Sequence, residues 1–265
     1  MDLPEIDCHA HIYTHDMPLA PTAWHRPERE APLADFLAEL KANGVARAVL
    51  AAASLFGDYN DNLLAATEAH PGLRTSDNVR ADIAAEALRE MDRRGAVGIR
   101  LQLMHHPLPD LAGPDYTALF RRVADLGWHV HIHDNAARLA HVLPILARSG
   151  VRLVIDHFGR PDPEQRLSSE GFQAVLRTVE NGRTWVKLSS AFRLGERALA
   201  REAAAALLSV AGPERLMWGS DWPFAGFEGN VCYADTLRDL EDFVPDPAAR
   251  RRIGHETPAA FYFAR

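Results

Sequence analysis

The stretch "VADLGWHVHIH" at residues 123–133 decides how the chain is built. The residues before Gly127 end an amphipathic helical pattern, and Gly127 fits the left-handed residue that follows a helix C-terminus. From Trp128 onwards, apolar residues alternate with histidines, and an alternation of period two predicts a β-strand. The stretch therefore predicts a helix, a short turn and a strand in direct succession.

The same succession recurs along the whole chain. Further copies are "LKANGVARAVLAAA" at 40–53, "MDRRGAVGIRLQL" at 91–103, "ILARSGVRLVIDH" at 145–157, "TVENGRTWVKLS" at 178–189 and "VAGPERLMWGSD" at 210–221. The patterns predict strands near residues 5–12, 46–53, 73–79, 96–103, 128–133, 152–157, 184–189 and 215–220. They predict helices near residues 33–43, 58–70, 82–94, 115–126, 138–149, 168–180 and 197–211, and a last helix near 247–262.

Strands that alternate with helices across short turns predict a parallel sheet covered by helices. Eight such units in 265 residues have the size of a (β/α)₈ TIM barrel that occupies residues 1–265 as a single domain. An open doubly wound sheet is the alternative, but it would need a glycine-rich phosphate loop after an early strand, and the sequence has none. Long segments follow predicted strands 1, 4, 6 and 8, so we expect the chemistry at the carboxyl ends of the strands.

Composition narrows the class of protein. The apolar fraction of 47% and charged fraction of 25% are ordinary for a globular protein, and the net charge of −7 argues against nucleic-acid and anionic-membrane partners. Apolar runs are too short for a membrane span, and the first residues lack the pattern of a signal peptide. Two cysteines, Cys8 and Cys232, indicate no disulfide framework. We therefore expect a cytoplasmic protein whose partner is a small molecule.

Strand parity selects the residues that face the barrel interior. On the fifth strand the histidine face, His129, His131 and His133, lines the barrel, and Val130 and Ile132 face the helices. His133 lies nearest the rim, whereas His129 is expected to be a packed, hydrogen-bonded core residue. The same argument turns further polar residues inward: Asp7, His9 and His11 on strand 1, Arg100 and Gln102 on strand 4, and Lys187 and Ser189 on strand 7. Parity does not choose between Asp156 and His157 on strand 6, and we take His157 as the rim residue.

Four motifs at strand ends resemble a known family. They are "DCHAH" at 7–11, "DHFGRP" at 156–161, "VKLSSAFR" at 186–193 and "WGSDWPF" at 218–224. Together they resemble the amidohydrolase superfamily, and within it the branch of 2-pyrone-4,6-dicarboxylate lactonase and the sugar lactonases. The resemblance spans nearly the whole chain and implies hydrolysis of a small lactone. It implies catalytic roles for His9, His11, His157 and Asp221, and substrate contacts for Ser54, Arg100 and Arg193.

The residue types suit this chemistry on their own account. Ester hydrolysis needs a base for water, an electrophile for the carbonyl and a proton for the leaving oxygen. Asp221 is the candidate base, and imidazole or guanidinium groups can polarise the carbonyl. Alternatively, a set drawn from His9, His11, His131, His133, His157 and Asp221 holds one divalent metal, zinc or manganese, that acidifies water. Catalysis with and without metal both remain open.

The sequence departs from the resembled branch in several places. His131 and His133 are available on strand 5, so a full mononuclear ligand set exists, and either could be the ligand. Arg100 and Gln102 replace a bridging residue on strand 4, which predicts one metal in place of two. His105 and His106 stand where a second carboxylate-binding arginine is expected, and Phe224 stands where the branch often has histidine. We therefore expect an anionic lactone with one carboxylate, which Arg100, Arg193, Lys187, Ser54 and His133 would bind.

Simpler interpretations exist for several of these residues. His131 could be a packing residue, Arg193 a surface ion pair, and Ser54 a helix N-cap. Lys187 could pair with Asp156 or Asp221 as a structural bridge. The remaining histidines, at 15, 25, 70, 105, 106, 141 and 255, are expected on the surface or in loops, and His25 and His105 could touch substrate. Two other functions stay open: a metal-dependent decarboxylase of an aromatic or enoic acid, and a barrel that only binds its ligand.

Overall fold

Eight parallel strands follow one another around the barrel in sequence order in the computed structural model, which describes residues 4–104 and 106–264. The strands are β1 (Ile6–Ala10), β2 (Arg47–Ala51), β3 (Leu73–Asp77), β4 (Ala96–Gln102), β5 (His129–His133), β6 (Arg152–Ile155), β7 (Thr184–Ser189) and β8 (Leu216–Gly219). The barrel closes just beyond β8, where the Asp221 amide donates to the His9 carbonyl and the His11 amide to the Trp222 carbonyl, both at 2.7 Å. The predicted TIM barrel is confirmed.

Helices cover the outside of the barrel. They are α1 (Leu33–Ala42), α2 (Asp61–Ala69), α3 (Ala85–Arg93), α4 (Pro114–Asp125), α5 (Ala136–Arg148), α6 (Glu170–Val179), α7 (Arg197–Ala211), α8 (Tyr233–Phe243), α9 (Pro247–Arg251) and α10 (Thr257–Tyr262). The sequence patterns missed α8, whose buried Tyr233, Leu237 and Leu240 form a short apolar stripe in a charged segment. The predicted last helix is α9 and α10 joined by a π-helical turn at Arg252–Glu256. Within the described residues, no helix is long and apolar enough to cross a membrane.

A change of register in β1 reverses the expected direction of two side chains. The pairing of β1 with β2 shifts between Asp7 and Ala10, so parity does not carry through the strand. The Asp7 carboxylate faces outward, where it accepts hydrogen bonds from the Ser220 hydroxyl at 2.6 Å and the Tyr233 hydroxyl at 2.8 Å. Cys8 faces the interior and packs in a cluster with Ile6, Val49, Val154, Met217 and Tyr262. The predicted inward position of Asp7 is wrong, and so is the helix-facing position that the same alternation implies for Cys8.

The lower part of the barrel is filled by a packed histidine. His129 is fully buried, and its Nε2 lies 3.0 Å from the Ser76 hydroxyl. Gly98 lies opposite in the β4–β5 pairing, and a Cβ there would come within 2.3 Å of the imidazole, so only glycine leaves room for the ring. The prediction that His129 is a hydrogen-bonded core residue is confirmed. The same pairing places Arg100 beside His131 and Gln102 beside His133, one and two layers closer to the rim.

Candidate active site at the carboxyl ends of the strands

A cavity of about 280 Å³ opens at the carboxyl ends of the strands. Its lining includes seven residues that the sequence predicted for the site: His11, Ser54, Arg100, His133, His157, Arg193 and Asp221. It also includes residues that the sequence analysis did not assign to the site, among them Tyr13, Trp24, Met104 and Arg160. His105 lies outside the described residues, and His25 is not part of this lining. These seven predicted residues lie on seven different strands or in the segments that follow them, and they converge on one cavity.

Asp221 and two histidines form the centre of the site. Asp221 Oδ1 lies 3.4 Å from His9 Nε2 and 3.3 Å from His11 Nε2, and the two Nε2 atoms are 3.2 Å apart. His11 Nδ1 lies 2.6 Å from the Ala51 carbonyl, which can only accept, so Nδ1 carries the proton and Nε2 of a neutral His11 presents a lone pair. Burial lowers the pKa of His9 to about 3, so the His9 imidazole is neutral near pH 7.

His157 and His133 complete the upper layer. The ligating atoms of His157, His9 and Asp221 lie within 4.8 Å of one another, and His157 Nδ1 is 2.9 Å from the Ser189 hydroxyl. His133 packs edge-on against His157, with ring centroids 4.8 Å apart. Both ring nitrogens of His133 are buried and have no hydrogen-bond partner within the described part of the chain. Unpartnered buried nitrogens beside a cavity point to contact with a ligand.

Strand parity did not decide whether Asp156 faces the barrel interior. Its carboxylate lies beneath the cavity and contacts several of the buried residues there. Its Oδ1 lies 3.1 Å from His9 Nδ1 and accepts a short hydrogen bond from His131 Nε2, and its Oδ2 lies 3.2 Å from an Arg100 nitrogen. Burial alone would raise the pKa of Asp156, but His131, His9 and Lys187 together hold it well below the usual range. The carboxylate is therefore ionised, and it fixes the ring of His9 from below.

Lys187 and His131 belong to this buried network. Lys187 is fully buried, its Nζ lies 3.2 Å from both His9 Nδ1 and His131 Nε2, and it is 3.7 Å from Asp156. Neither residue lines the cavity. The expected substrate contact of Lys187 is corrected to the structural bridge with Asp156, because a fully buried ammonium cannot reach a ligand. Of the two strand 5 candidates, the structure places His133 at the cavity and His131 below it.

Three arginines reach the cavity with different partners. Arg193 Nε donates to Asp221 Oδ2 at 2.7 Å, and Arg100 donates to the Ala52 carbonyl at 2.8 Å as well as contacting Asp156. Arg160 has no carboxylate within 4 Å among the described residues. Of the three arginines, it is therefore the one whose charge is not already paired with a carboxylate of the described chain. Arg160 belongs to the motif "DHFGRP", whose resemblance to the family assigned no role to this arginine. The motif is the only feature of the sequence that points to Arg160 as a site residue. Its side-chain direction depends on a left-handed backbone (φ 45°), which an alternation pattern cannot predict.

Ser54 begins a 3₁₀ turn at Ser54–Phe56, and Ala53 occupies the N-cap position. The N-cap interpretation of Ser54 therefore does not hold. The Ser54 hydroxyl lines the cavity and accepts a hydrogen bond from the indole nitrogen of Trp24 at 3.3 Å.

The donor atoms fit one divalent cation. A tetrahedral ion with bonds of roughly 2.0–2.1 Å needs ligand atoms about 3.3–3.4 Å apart. His9 Nε2, His11 Nε2 and Asp221 Oδ1 are separated by 3.2 to 3.4 Å, and His157 stands beside them. Other groupings within the described residues use Asp156, which already faces the cations of Arg100 and Lys187. The site therefore offers one set of ligands for a metal.

Comparison with protein-family models matches residues 6–264 to the family described as amidohydrolase. The chain belongs to the amidohydrolase family. A 4-sulfomuconolactone hydrolase from Hydrogenophaga intermedia is 28% identical to this amidohydrolase. The match covers 97% of this chain and 88% of the relative. A solved structure from Pseudomonas putida, named for 2-pyrone-4,6-dicarboxylic acid hydrolase activity, is 36% identical with a TM-score of 0.91 and covers 98% and 97% of the two chains. One from Acinetobacter baumannii, named for the same activity and holding citric acid, is 29% identical with a TM-score of 0.93, over 99% of both chains.

More distant structures share the fold alone. An amidohydrolase from Burkholderia multivorans with bound zinc is 20% identical, with a TM-score of 0.81 over 98% of this chain and 99% of the other. A dihydroxybenzoic acid decarboxylase from Polaromonas with bound manganese is 16% identical, with a TM-score of 0.73 over 98% and 97% of the two chains. The relatives named for lactone hydrolysis are thus more similar to this amidohydrolase than those named for decarboxylation.

Proposed function

We propose that this amidohydrolase opens a small anionic lactone by the attack of water on its ester carbonyl. The observation that carries the proposal is the position of Asp221. Its buried carboxylate faces two imidazoles at 3.3 and 3.4 Å and borders a cavity that three arginines reach. The lactone hydrolases among its relatives, which match almost the full length of the chain, support the same reaction class.

Asp221 acts as the general base in this proposal. Water gives its proton to Asp221 Oδ1 while its oxygen bonds to the carbonyl carbon, and the ring C–O bond then breaks as the leaving oxygen takes up a proton. The imidazoles of His9 and His11 next to Asp221 can hold the water and carry the proton onwards. The products are the open hydroxy acid and, once that acid ionises, one released proton.

The ion pair with Arg193 controls the basicity of the Asp221 carboxylate. Burial would raise the pKa of Asp221, but Arg193 and the neighbouring histidines hold it well below the usual range, which makes the carboxylate a weak base. An acidic group of the substrate that draws Arg193 away would raise the basicity of Asp221 as the complex forms. Substrate charge and base strength are thereby coupled through one guanidinium group.

We infer that the substrate is anionic, because three guanidinium groups reach the cavity although the protein as a whole is acidic. Arg160, which lacks an acidic partner within the described residues, is suited to bind a carboxylate or sulfonate with two parallel hydrogen bonds. The expectation of a single carboxylate rested on the lack of a second arginine near His106. Arg160 provides that arginine from another loop, so the expectation loses its basis, and substrates with two acidic groups are equally suited.

We propose that one zinc or manganese ion, if the enzyme uses a metal, is held by His9, His11, His157 and Asp221. These residues supply imidazole nitrogens and a carboxylate, which both metals accept. Such an ion contributes Lewis acidity, which acidifies water and polarises a carbonyl oxygen. His133 provides a further nitrogen at the edge of the set.

The test is a proton-release assay of the purified protein with a panel of carboxylated lactones, with and without added zinc or manganese. Ring opening should release one proton per molecule and no carbon dioxide, and Asp221→Asn should abolish most of the rate. Glu164→Gln, which alters an exposed acid on the loop after β6, is the matched control and should leave the rate unchanged. Release of carbon dioxide from an aromatic or enoic acid without lactone hydrolysis would show the protein to be a decarboxylase and overturn the proposal.

A further inference from the structure

An aromatic side chain at the mouth of the cavity is not used by the chemistry described above. Trp24, in the segment between β1 and α1, is 48% exposed, whereas Trp128, Trp218 and Trp222 are buried. A single exposed apolar side chain is ordinary on a protein surface. Trp24 differs because it lines the same cavity as Asp221 and His11.

Contacts with several residues fix the position of the Trp24 indole. Its nitrogen donates to the Ser54 hydroxyl at 3.3 Å, and its ring stacks on His25 with centroids 5.2 Å apart and planes 29° apart. His25 in turn lies 3.6 Å from a carboxylate oxygen of Glu228, in the segment after β8. A Cβ at Gly226 would lie 4.0 Å from the edge of the indole. The ring is therefore held between two loops, although almost half of its surface is open.

The lining of the cavity includes apolar side chains as well as charged ones. Leu55, Met104 and Ala225 line it together with Trp24, and Leu55 and Ala225 are chain neighbours of Ser54 and Gly226, which lie beside the indole. A fixed aromatic surface beside apolar side chains favours a flat ring over a puckered one, because aromatic rings stack best on other planar π systems. Trp24 also donates to Ser54, so the Ser54 proton is left to point elsewhere, such as to a ligand.

We infer that Trp24 is a specificity-determining residue that selects lactones whose ring is planar through conjugation over saturated, puckered lactones of equal charge. The inference rests on the proposed function for the identity of the ligand, and on the geometry of Trp24 for the preference. It assigns to the first βα loop the discrimination between ring types, and to the arginines the recognition of charge.

Binding of two dicarboxylic acids separates ring shape from charge without requiring turnover. Benzene-1,3-dicarboxylate and cis-cyclohexane-1,3-dicarboxylate carry the same charges on a flat and a puckered ring, and calorimetric titration measures their dissociation constants. The wild-type protein should bind the aromatic acid more tightly. Trp24→Leu should weaken the aromatic acid about 3- to 10-fold, the range expected for one aromatic pair, and the saturated acid less than about twofold.

Two further variants make the outcome specific. Trp24→Phe keeps an aromatic face but lacks the N–H group, so it should retain most of the preference. Leu108→Ser alters an exposed apolar residue at the same end of the barrel that is not part of the cavity lining, and it should change neither constant. Equal binding of both acids, or of neither, by the wild-type protein would overturn the inference, as would equal losses for both acids in Trp24→Leu. Failure of the proposed function would instead appear as absent lactone hydrolysis by the wild-type enzyme.

Discussion

Replacing Asp221 with Asn tests the centre of the proposed mechanism with the smallest change of shape. The amide keeps an oxygen that can accept from Arg193, but it cannot take a proton from water. General-base catalysis contributes roughly 10²- to 10⁴-fold to a rate, so we expect the turnover of Asp221→Asn to fall by about that factor. The fall should appear in kcat, because Asp221 acts on water and the arginines hold the substrate.

The same substitution has a cost in stability that the structure lets us estimate. Asp221 is 1% exposed and the Arg193 side chain is 13% exposed, so the pair is shielded from solvent. Hydrogen bonds to charged groups contribute about 1.5–3 kcal/mol, and the Asn oxygen preserves part of this. We therefore expect the free energy of unfolding of Asp221→Asn to decrease by at most about 3 kcal/mol, which leaves the protein folded at room temperature.

Two measurements on the same preparation separate these effects. Urea unfolding gives the change in stability, and initial rates at saturating lactone give kcat, with Glu164→Gln as the control for the loss of a carboxylate elsewhere. A folded Asp221→Asn protein that turns over within about tenfold of the wild type would refute the assignment of Asp221 as the base. A large loss with intact folding would support it.

Three further predictions follow from the geometry. After incubation with excess zinc and removal of the unbound ion, elemental analysis should find at most one ion per chain, and two would contradict the single ligand set. Arg160→Gln should lower kcat/KM for a carboxylated lactone roughly 10- to 100-fold more than for its methyl ester, since it removes a charged hydrogen bond, and equal losses would make Arg160 structural. Burial raises the pKa of Asp77 to about 7, so folding takes up a proton between about pH 4 and pH 7 and the free energy of unfolding should fall as pH rises through this window. Asp77→Asn should flatten that dependence and be more stable than wild type above pH 7 by up to about 4 kcal/mol, and unchanged urea midpoints would contradict the raised pKa.

Local rules were enough to predict the barrel. Gly127, Gly150 and Gly182 all have the positive φ angles expected after helix C-termini, and each lies just before a strand. These signals depend only on neighbouring residues, so the sequence carries them in full. The histidine face of β5 was equally predictable because that strand is regular over its whole length.

Pairing between distant residues was not predictable by the same means. Asp156 and His157 both serve the site although they are adjacent, because the chain leaves the strand and His157 takes a left-handed conformation with φ 50°. Alternation assigns neighbouring residues to opposite faces of a strand, so it could not place both Asp156 and His157 at the site. The buried pairing of Lys187 with Asp156 likewise depends on which side chains meet inside the barrel. Sequence offered this bridge only as one of two interpretations.

The departures from regular backbone are gathered where the chemistry lies. Of the described residues, the non-glycine ones with positive φ after β6, β7 and β8 include His157, Arg160, Ser190 and Asp221. Such conformations cost about 1–3 kcal/mol each and persist only where surrounding contacts enforce them.

Asp7 is one of the groups that enforce the conformation at Asp221. From the outer side of the barrel it accepts hydrogen bonds from the Ser220 amide at 2.9 Å and the Ser220 hydroxyl at 2.6 Å, while the Asp221 amide donates to His9. These bonds hold the backbone on both sides of the Ser220–Asp221 peptide, so the carboxylate of Asp221 is aimed at the histidines by a residue that never meets the substrate. Strand alternation had assigned Asp7 to the barrel interior, but the register shift in β1 places it behind the site, where it determines the geometry of the base.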